Sequence, residues 1–157
     1  MASFYDPSVH HRRSIRLKGF DYRRHAAYFI TLCVQHRLKV LSRIIDGKAL
    51  HSAAGNALQQ SWDAIPRQFP QVDTREMVIM PDHFHGIVVL NPDEKRAIAL
   101  GYVVQQLKLQ TARRLRFLQG THPHLLWQRN YYERIIRDEN HYETVVRYIQ
   151  NNPANYK

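Results

Sequence analysis

The sequence predicts an α+β fold in which helices pack on one antiparallel sheet, and three observations carry that prediction. Short runs rich in β-branched and aromatic residues, AAYFITLCVQ at 26–35 and HFHGIVVL at 83–90, have the composition and length of strands. Between and after them, apolar residues return at the 3.6-residue spacing of amphipathic helices. The boundaries carry turn and cap chemistry, with Asp46-Gly47, Ser52, Pro81-Asp82 and Asp138 each standing where one element should give way to the next.

Taken in order, residues 1 to 25 form a basic lead-in in which Arg12, Arg13, Arg16, Lys18, Arg23 and Arg24 are offset by Asp6 and Asp21. The first strand follows over 26–35. In LSRIIDGKAL, Asp46-Gly47 between two apolar pieces signals a hairpin. Ser52 is placed to cap a helix that carries Ala53, Ala57, Leu58, Trp62 and Ile65 until Pro66 stops it. TREMVIM at 74–80 and HFHGIVVL at 83–90 read as two strands separated by Pro81-Asp82. A second helix over about 97–118 puts Leu100, Val103, Val104, Leu107, Thr111, Leu115 and Leu118 on one face, with Lys108, Arg113 and Arg116 on another. Gly120 and Pro123 mark a loop, and LLWQRNYYERII at 125–136 reads as a last strand entered through Trp127. Asp138 caps a final helix with the stripe Tyr142, Val145, Val146 and Ile149, which Pro153 should end. Setting the small hairpin aside, the order β-α-β-β-α-β is that of a ferredoxin-like antiparallel sheet with two helices on one face, plus a C-terminal helix.

At 157 residues the chain is long enough to bury a core, and a hydrophobic share of 44% argues against wholesale disorder. No apolar run approaches the ~20 residues needed to cross a bilayer. The N-terminus lacks the apolar core of a secretory signal, and Cys33 is the single cysteine, so a reducing cytoplasm is the expected setting. Lys and Arg outnumber Asp and Glu by 23 to 13, a formal charge of +10 that points to a polyanion. That charge is not gathered on an amphipathic helix, which favours nucleic acid over a membrane surface.

His83 and His85 straddle Phe84 in MPDHFHGIVVL. Strand side chains alternate, so both imidazoles share one face and are spaced to hold a divalent cation together. The pair alone fits ordinary polar strand residues as well. The apolar GIVVL that follows makes the strand a central one, where two unpaired imidazoles would be costly. Asp82 is assigned to the turn, on the opposite face. Tyr148 and Asn152 sit four apart and share a face of the last helix, beside His141 and Thr144. Spacing leaves Tyr148 open as a packing residue or a nucleophile, and Asn152 as a ligand or a residue near the helix end.

MPDHFHGIVVL followed by WQRNYYERIIRDENHYETVVRYIQNNP resembles the REP-associated tyrosine transposases, single-tyrosine members of the HUH nuclease superfamily. The likeness extends to SIRLKGFDY, AYFITLCVQHR, LGYVVQQLK and YIQNNP. It implies that residues 26–157 form an HUH tyrosine domain in which His83 and His85 bind a divalent cation, Mg2+ or Mn2+. It implies that Tyr148 is the nucleophile on the C-terminal helix and that Asn152 supplies a third ligand. The reaction implied is cleavage and rejoining of single-stranded DNA hairpins from repetitive extragenic palindromes, through a covalent 5′-phosphotyrosine, with no nucleotide cofactor. Many relatives continue past the tyrosine helix, so the likeness implies a short member or a truncated chain. Monomer and homodimer both remain open.

Candidates for DNA contact are Arg12, Arg13, Arg16, Lys18 and Arg24 in the lead-in and Lys108, Arg113 and Arg116 on the second helix. Phe20, Tyr22 and Trp127 are candidates for stacking on bases. Two other classes stay in view. One is a non-catalytic single-strand or RNA-binding module of the same sheet order, which would use aromatics where this strand carries histidines. The other is a domesticated DNA-binding repressor.

Overall fold

The structure is a computed structural model that describes residues 25–92, 97–119 and 126–157. Arg12, Arg13, Arg16, Lys18 and Arg24, with Phe20 and Tyr22, lie outside those residues. The elements in chain order are β1 (Ala26–Cys33), β2 (Ser42–Ile45), β3 (Lys48–His51), α1 (Ala53–Gln68), β4 (Val72–Ile79), β5 (His83–Leu90), α2 (Leu100–Gln119), β6 (Tyr132–Ile136) and α3 (Glu139–Asn155). Strands β4, β5, β1 and β6 form a four-stranded sheet in that spatial order, every neighbouring pair antiparallel. This is the ferredoxin-like arrangement expected from the element order. β2 and β3 form a separate hairpin.

Local chemistry explains most boundaries. Asp46 and Gly47 both have positive φ, as a two-residue hairpin turn demands. The Ser52 hydroxyl accepts from the Gly55 N–H at 3.2 Å, and Asp138 accepts from the His141 N–H at 2.8 Å. Each such cap contributes about 1 kcal/mol.

The sheet separates two cores. On one face, α1 and α2 lie over Ile30, Leu32, Phe84 and Val88, with Trp62 and Leu107 among the buried contributors. Gly86 makes this packing possible, since a Cβ there would come within 2.6 Å of the Trp62 ring. On the other face, Tyr142, Val145, Val146 and Ile149 of α3 cover Ala27, Val78, Ile87, Val89 and Ile136. A bulge in β4 between Thr74 and Met77 shifts the alternation by one residue, so Val72 and Met77 face α1 while Val78 faces α3. Tyr142 donates to Glu76 just beside the bulge, tying the tyrosine helix to the sheet edge.

Three expectations need correction. Pro66 and Pro153 lie inside α1 and α3, which run on to Gln68 and Asn155. A proline near a helix C-terminus forfeits one hydrogen bond, and packing of the preceding turn (Trp62 and Ile65; Val146 and Ile149) holds the backbone helical past it. The last strand is shorter than 125–136: Asn130 at φ 67° breaks the extension, and β6 begins at Tyr132. Trp127 makes an isolated bridge to Val34 and is buried in the α1/α2 core, so its ring is not available for stacking. The Leu118 side chain lies outside the described residues.

Candidate functional site

β5 lies at the centre of the sheet, and its alternation puts His83 and His85 on the α3 face with Ile87 and Val89. Their ring centroids are 4.7 Å apart. His85 is 6% exposed, and its Nδ1 lies 2.7 Å from Thr31 Oγ1, on the directly paired residue of β1. Its other ring nitrogen, Nε2, is buried with no hydrogen-bond partner among the described residues. Burial, and then the neighbouring His83 and Arg37, push the His85 pKa down to about 3, so the ring is neutral at physiological pH. A neutral buried imidazole with an unshared electron pair is poised as a metal ligand.

His83 is oriented by Asp82. The carboxylate lies 2.7 Å from His83 Nδ1, and because a carboxylate only accepts, that nitrogen carries a proton, which makes Nε2 the ligating nitrogen of the neutral ring. Asp82 is held in turn by Arg37, whose Nε is 2.9 Å from its second oxygen and whose Nη1 donates to Cys33 Sγ at 3.0 Å. His36 and Arg37 both take left-handed backbone at φ 55°, which costs on the order of 1 kcal/mol each and turns Arg37 back over the site. The expectation for Asp82 was therefore wrong in one respect. The turn frees its side chain from strand alternation, and it reaches the face of His83.

α3 delivers Tyr148 to the same place. Its ring centroid is 5.4 Å from that of His85, and Phe29 packs beside both, stacked on His85 at 5.1 Å and edge-on to Tyr148 at 5.9 Å. Tyr148 is 52% exposed, open to an incoming chain. Asn152 lies one turn further on, and the hydrogen bond it makes runs back along the helix, from Nδ2 to the Tyr148 carbonyl at 3.5 Å. The adjacent Asn151 has its Oδ1 buried without a hydrogen-bond partner. His83, His85 and Tyr148 thus converge, while Asn152 shares the helix face of Tyr148 without a contact to the imidazoles.

The donor set fits a divalent cation bound incompletely by protein. The two imidazole rings stand side by side with centroids 4.7 Å apart, and no group of three His, Cys, Asp or Glu side chains among the described residues completes a cage. Remaining positions would fall to an amide oxygen, water or substrate, which suits a catalytic rather than a structural site. Sequence reasoning missed Thr31, Arg37 and the orienting role of Asp82. Asp82 adjoins the histidine, so a carboxylate next to a ligating His was a readable signal; Thr31 and Arg37 carried none.

On the other face, a groove of about 770 Å3 runs between α2 and residues 127–131, with Lys108, Arg113, Arg116 and Arg129 along it. Arg113 and Arg116 are exposed. Lys108 is half-buried and donates to the carbonyl oxygens of Gln128, at 2.9 Å, and Asn130, so it clamps the loop that forms the groove wall. Its pKa is lowered by that burial.

The sequence profile of the IS200-like transposases matches residues 23–152. An uncharacterised protein of Haemophilus influenzae is 37% identical over 171 residues, spanning 98% of this chain and 94% of that one. A second protein of that organism, provisionally named a REP-associated tyrosine transposase, is 26% identical over 141 residues, 87% of this chain and 74% of the relative. Among solved structures, a REP-associated tyrosine transposase bound to a REP hairpin superposes with a TM-score of 0.61 at 22% identity, covering 82% of this chain and 67% of that one. A provisionally named transposase from Deinococcus radiodurans superposes at 0.55 with 21% identity, covering 85% of this chain and 93% of its own. Both solved structures share the fold with this chain.

Proposed function

This chain belongs to the IS200-like transposase family, and we propose that it is a metal-dependent single-stranded DNA endonuclease and strand transferase that acts on palindromic hairpins through Tyr148. The observation that carries the reading is the Tyr148 ring set against His85, whose Nε2 is buried and unsatisfied. The bound hairpin of the REP-associated relative supports a hairpin substrate for this chain.

His83 and His85 would hold the cation through Nε2, with Asn152 as the third protein ligand. When bound, a divalent cation polarises the scissile phosphate and offsets charge in the transition state. Imidazole ligands do not by themselves select Mg2+ or Mn2+, so oxygen atoms from the substrate must favour these metals. Asp82 and Thr31 each engage an Nδ1, which leaves the Nε2 atoms as the nitrogens that would ligate. Tyr148 Oη, freed of its proton, attacks phosphorus. The P–O3′ bond breaks, the 3′ oxygen takes up a proton, and the 5′-phosphate stays on the tyrosine. The reverse attack by a 3′-hydroxyl restores a phosphodiester and the free phenol, so rejoining needs no nucleotide cofactor. Arg113 and Arg116, exposed along the α2 groove, would contact the backbone of the hairpin stem.

The test is a detergent-resistant protein–DNA adduct on a single-stranded hairpin with Mg2+ or Mn2+, and none on a duplex of the same sequence. Tyr148→Phe should abolish the adduct while retaining binding. Folded, metal-loaded protein that gives no adduct on hairpins flanking its own gene would overturn the proposal.

A further inference from the structure

A second groove adjoins the nucleophile. It measures about 510 Å3, lies between β1, β6 and α3, and has Tyr148 and Phe29 in its wall. Register places Tyr132 opposite Thr31 and Arg134 opposite Phe29, so both β6 side chains project onto the face that holds the histidines. Tyr132 is 69% exposed, the most open of the large hydrophobic side chains described, and Arg134 is exposed beside it. Glu133, between them, also lines the groove; strand alternation turns its side chain toward the opposite face, where its carboxylate accepts from the Tyr131 hydroxyl at 3.1 Å. On the α3 side, His141 Nδ1 accepts from the Arg137 N–H at 3.4 Å, which turns Nε2–H outward as a donor.

The groove therefore offers an exposed aromatic face, a guanidinium and an imidazole N–H next to the reacting hydroxyl. A carboxylate ligand would use the guanidinium and the N–H and ignore the ring; an apolar peptide would do the reverse. A nucleotide uses both, its base stacking on the ring and its phosphate meeting the cation. We infer that this groove binds the nucleotide adjoining the scissile linkage, with Tyr132 stacking on its base and Arg134 pairing with its phosphate. The inference rests on the nuclease reading above and deepens it by naming where the single strand lies. Stacking is indifferent to base identity, so the groove positions the strand without selecting its sequence.

Binding of a single-stranded oligonucleotide to the Tyr148→Phe protein, read by fluorescence anisotropy across a salt series, tests the inference without requiring cleavage. Tyr132→Ala should weaken binding by roughly ten-fold and Tyr132→Phe should restore it. Arg134→Gln should reduce the slope of log K against log salt by about 0.7, which Tyr132→Ala should leave unchanged. An abasic nucleotide beside the scissile position should weaken the parent protein but add nothing to Tyr132→Ala. Unchanged affinity and salt slope in both variants would overturn the inference. In the protein with Tyr148 intact, adduct formation that ignores Tyr132→Ala and Arg134→Gln would sink the groove while sparing the nuclease reading; absence of any adduct would sink that reading.

Discussion

Tyr148 and His85, 63 residues apart in the chain (148 minus 85), stand with ring centroids 5.4 Å apart and planes inclined at 65°. The contact exists because α3 buries its Tyr142–Ile149 stripe on the face of the sheet that carries the histidines. Tyr148, one position off that stripe, overhangs the site while remaining open to solvent.

Tyr148→Phe removes one exposed hydroxyl. Its thermal stability should match the parent within about 0.5 kcal/mol, as for surface changes generally. Adduct formation should be lost and hairpin affinity kept. Denaturing gels and a binding titration on one preparation check this, and an adduct surviving the substitution would assign the nucleophile elsewhere.

Asp82→Asn and Thr31→Val each remove a partner that orients a histidine. Substitutions of such partners cost roughly 10–100-fold in metal affinity. Calorimetric titration with Mn2+ should show that loss for both, with Asn152→Ala weakening affinity as well. If Asn151→Ala weakens metal binding and Asn152→Ala does not, the third oxygen comes from the neighbouring residue.

His85 gives metal-free protein a specific acid sensitivity. Its folded pKa, about 3, lies below the unfolded value of 6.5. Above 6.5 neither state binds the proton; between 6.5 and 3 the unfolded chain takes it and folded His85 does not, so stability falls as pH falls. From pH 7 to pH 5 this group should remove about 2 kcal/mol. Chemical denaturation at both pH values should show a smaller drop in His85→Gln, and equal drops would refute the assignment.

Tyr142→Phe deletes the buried hydrogen bond to Glu76. The loss should destabilise the protein by about 1–3 kcal/mol, since it removes a donor from a buried carboxylate. Thermal melts measure it; a change under 0.5 kcal/mol would mean that the contact contributes little.

Lys108 and its neighbours on α2 should separate by role. Arg113→Gln and Arg116→Gln should each weaken hairpin binding and flatten its salt dependence with little change in melting temperature. Lys108→Gln should lower the melting temperature, because it releases the two carbonyls that hold residues 128 and 130. A Lys108 variant with unchanged stability and reduced salt slope would reverse that division.

The elements governed by short-range chemistry were legible in the sequence. Strand alternation put His83 and His85 on one face, Asp46-Gly47 made the hairpin, Ser52 and Asp138 capped their helices, and helical spacing marked the stripe that α3 buries. These depend on residues within a few positions of one another, so the chain carries them without reference to the rest of the molecule. Tyr148 was singled out by resemblance, since spacing alone left it undecided.

Tertiary packing decided the remainder. Which face α3 covers, and hence whether Tyr148 meets His85, follows from where two apolar surfaces close together. The pairing of Thr31 with His85 depends on β1–β5 register, and the hold of Arg37 on Asp82 depends on a left-handed turn that no local motif announced. Pro66 and Pro153 stay helical, and Trp127 goes inside, because burial of neighbouring side chains outweighs local preference. Local preferences are worth fractions of a kcal/mol to a few kcal/mol per residue, whereas the burial that overrides them is summed over many residues brought together from distant parts of the chain.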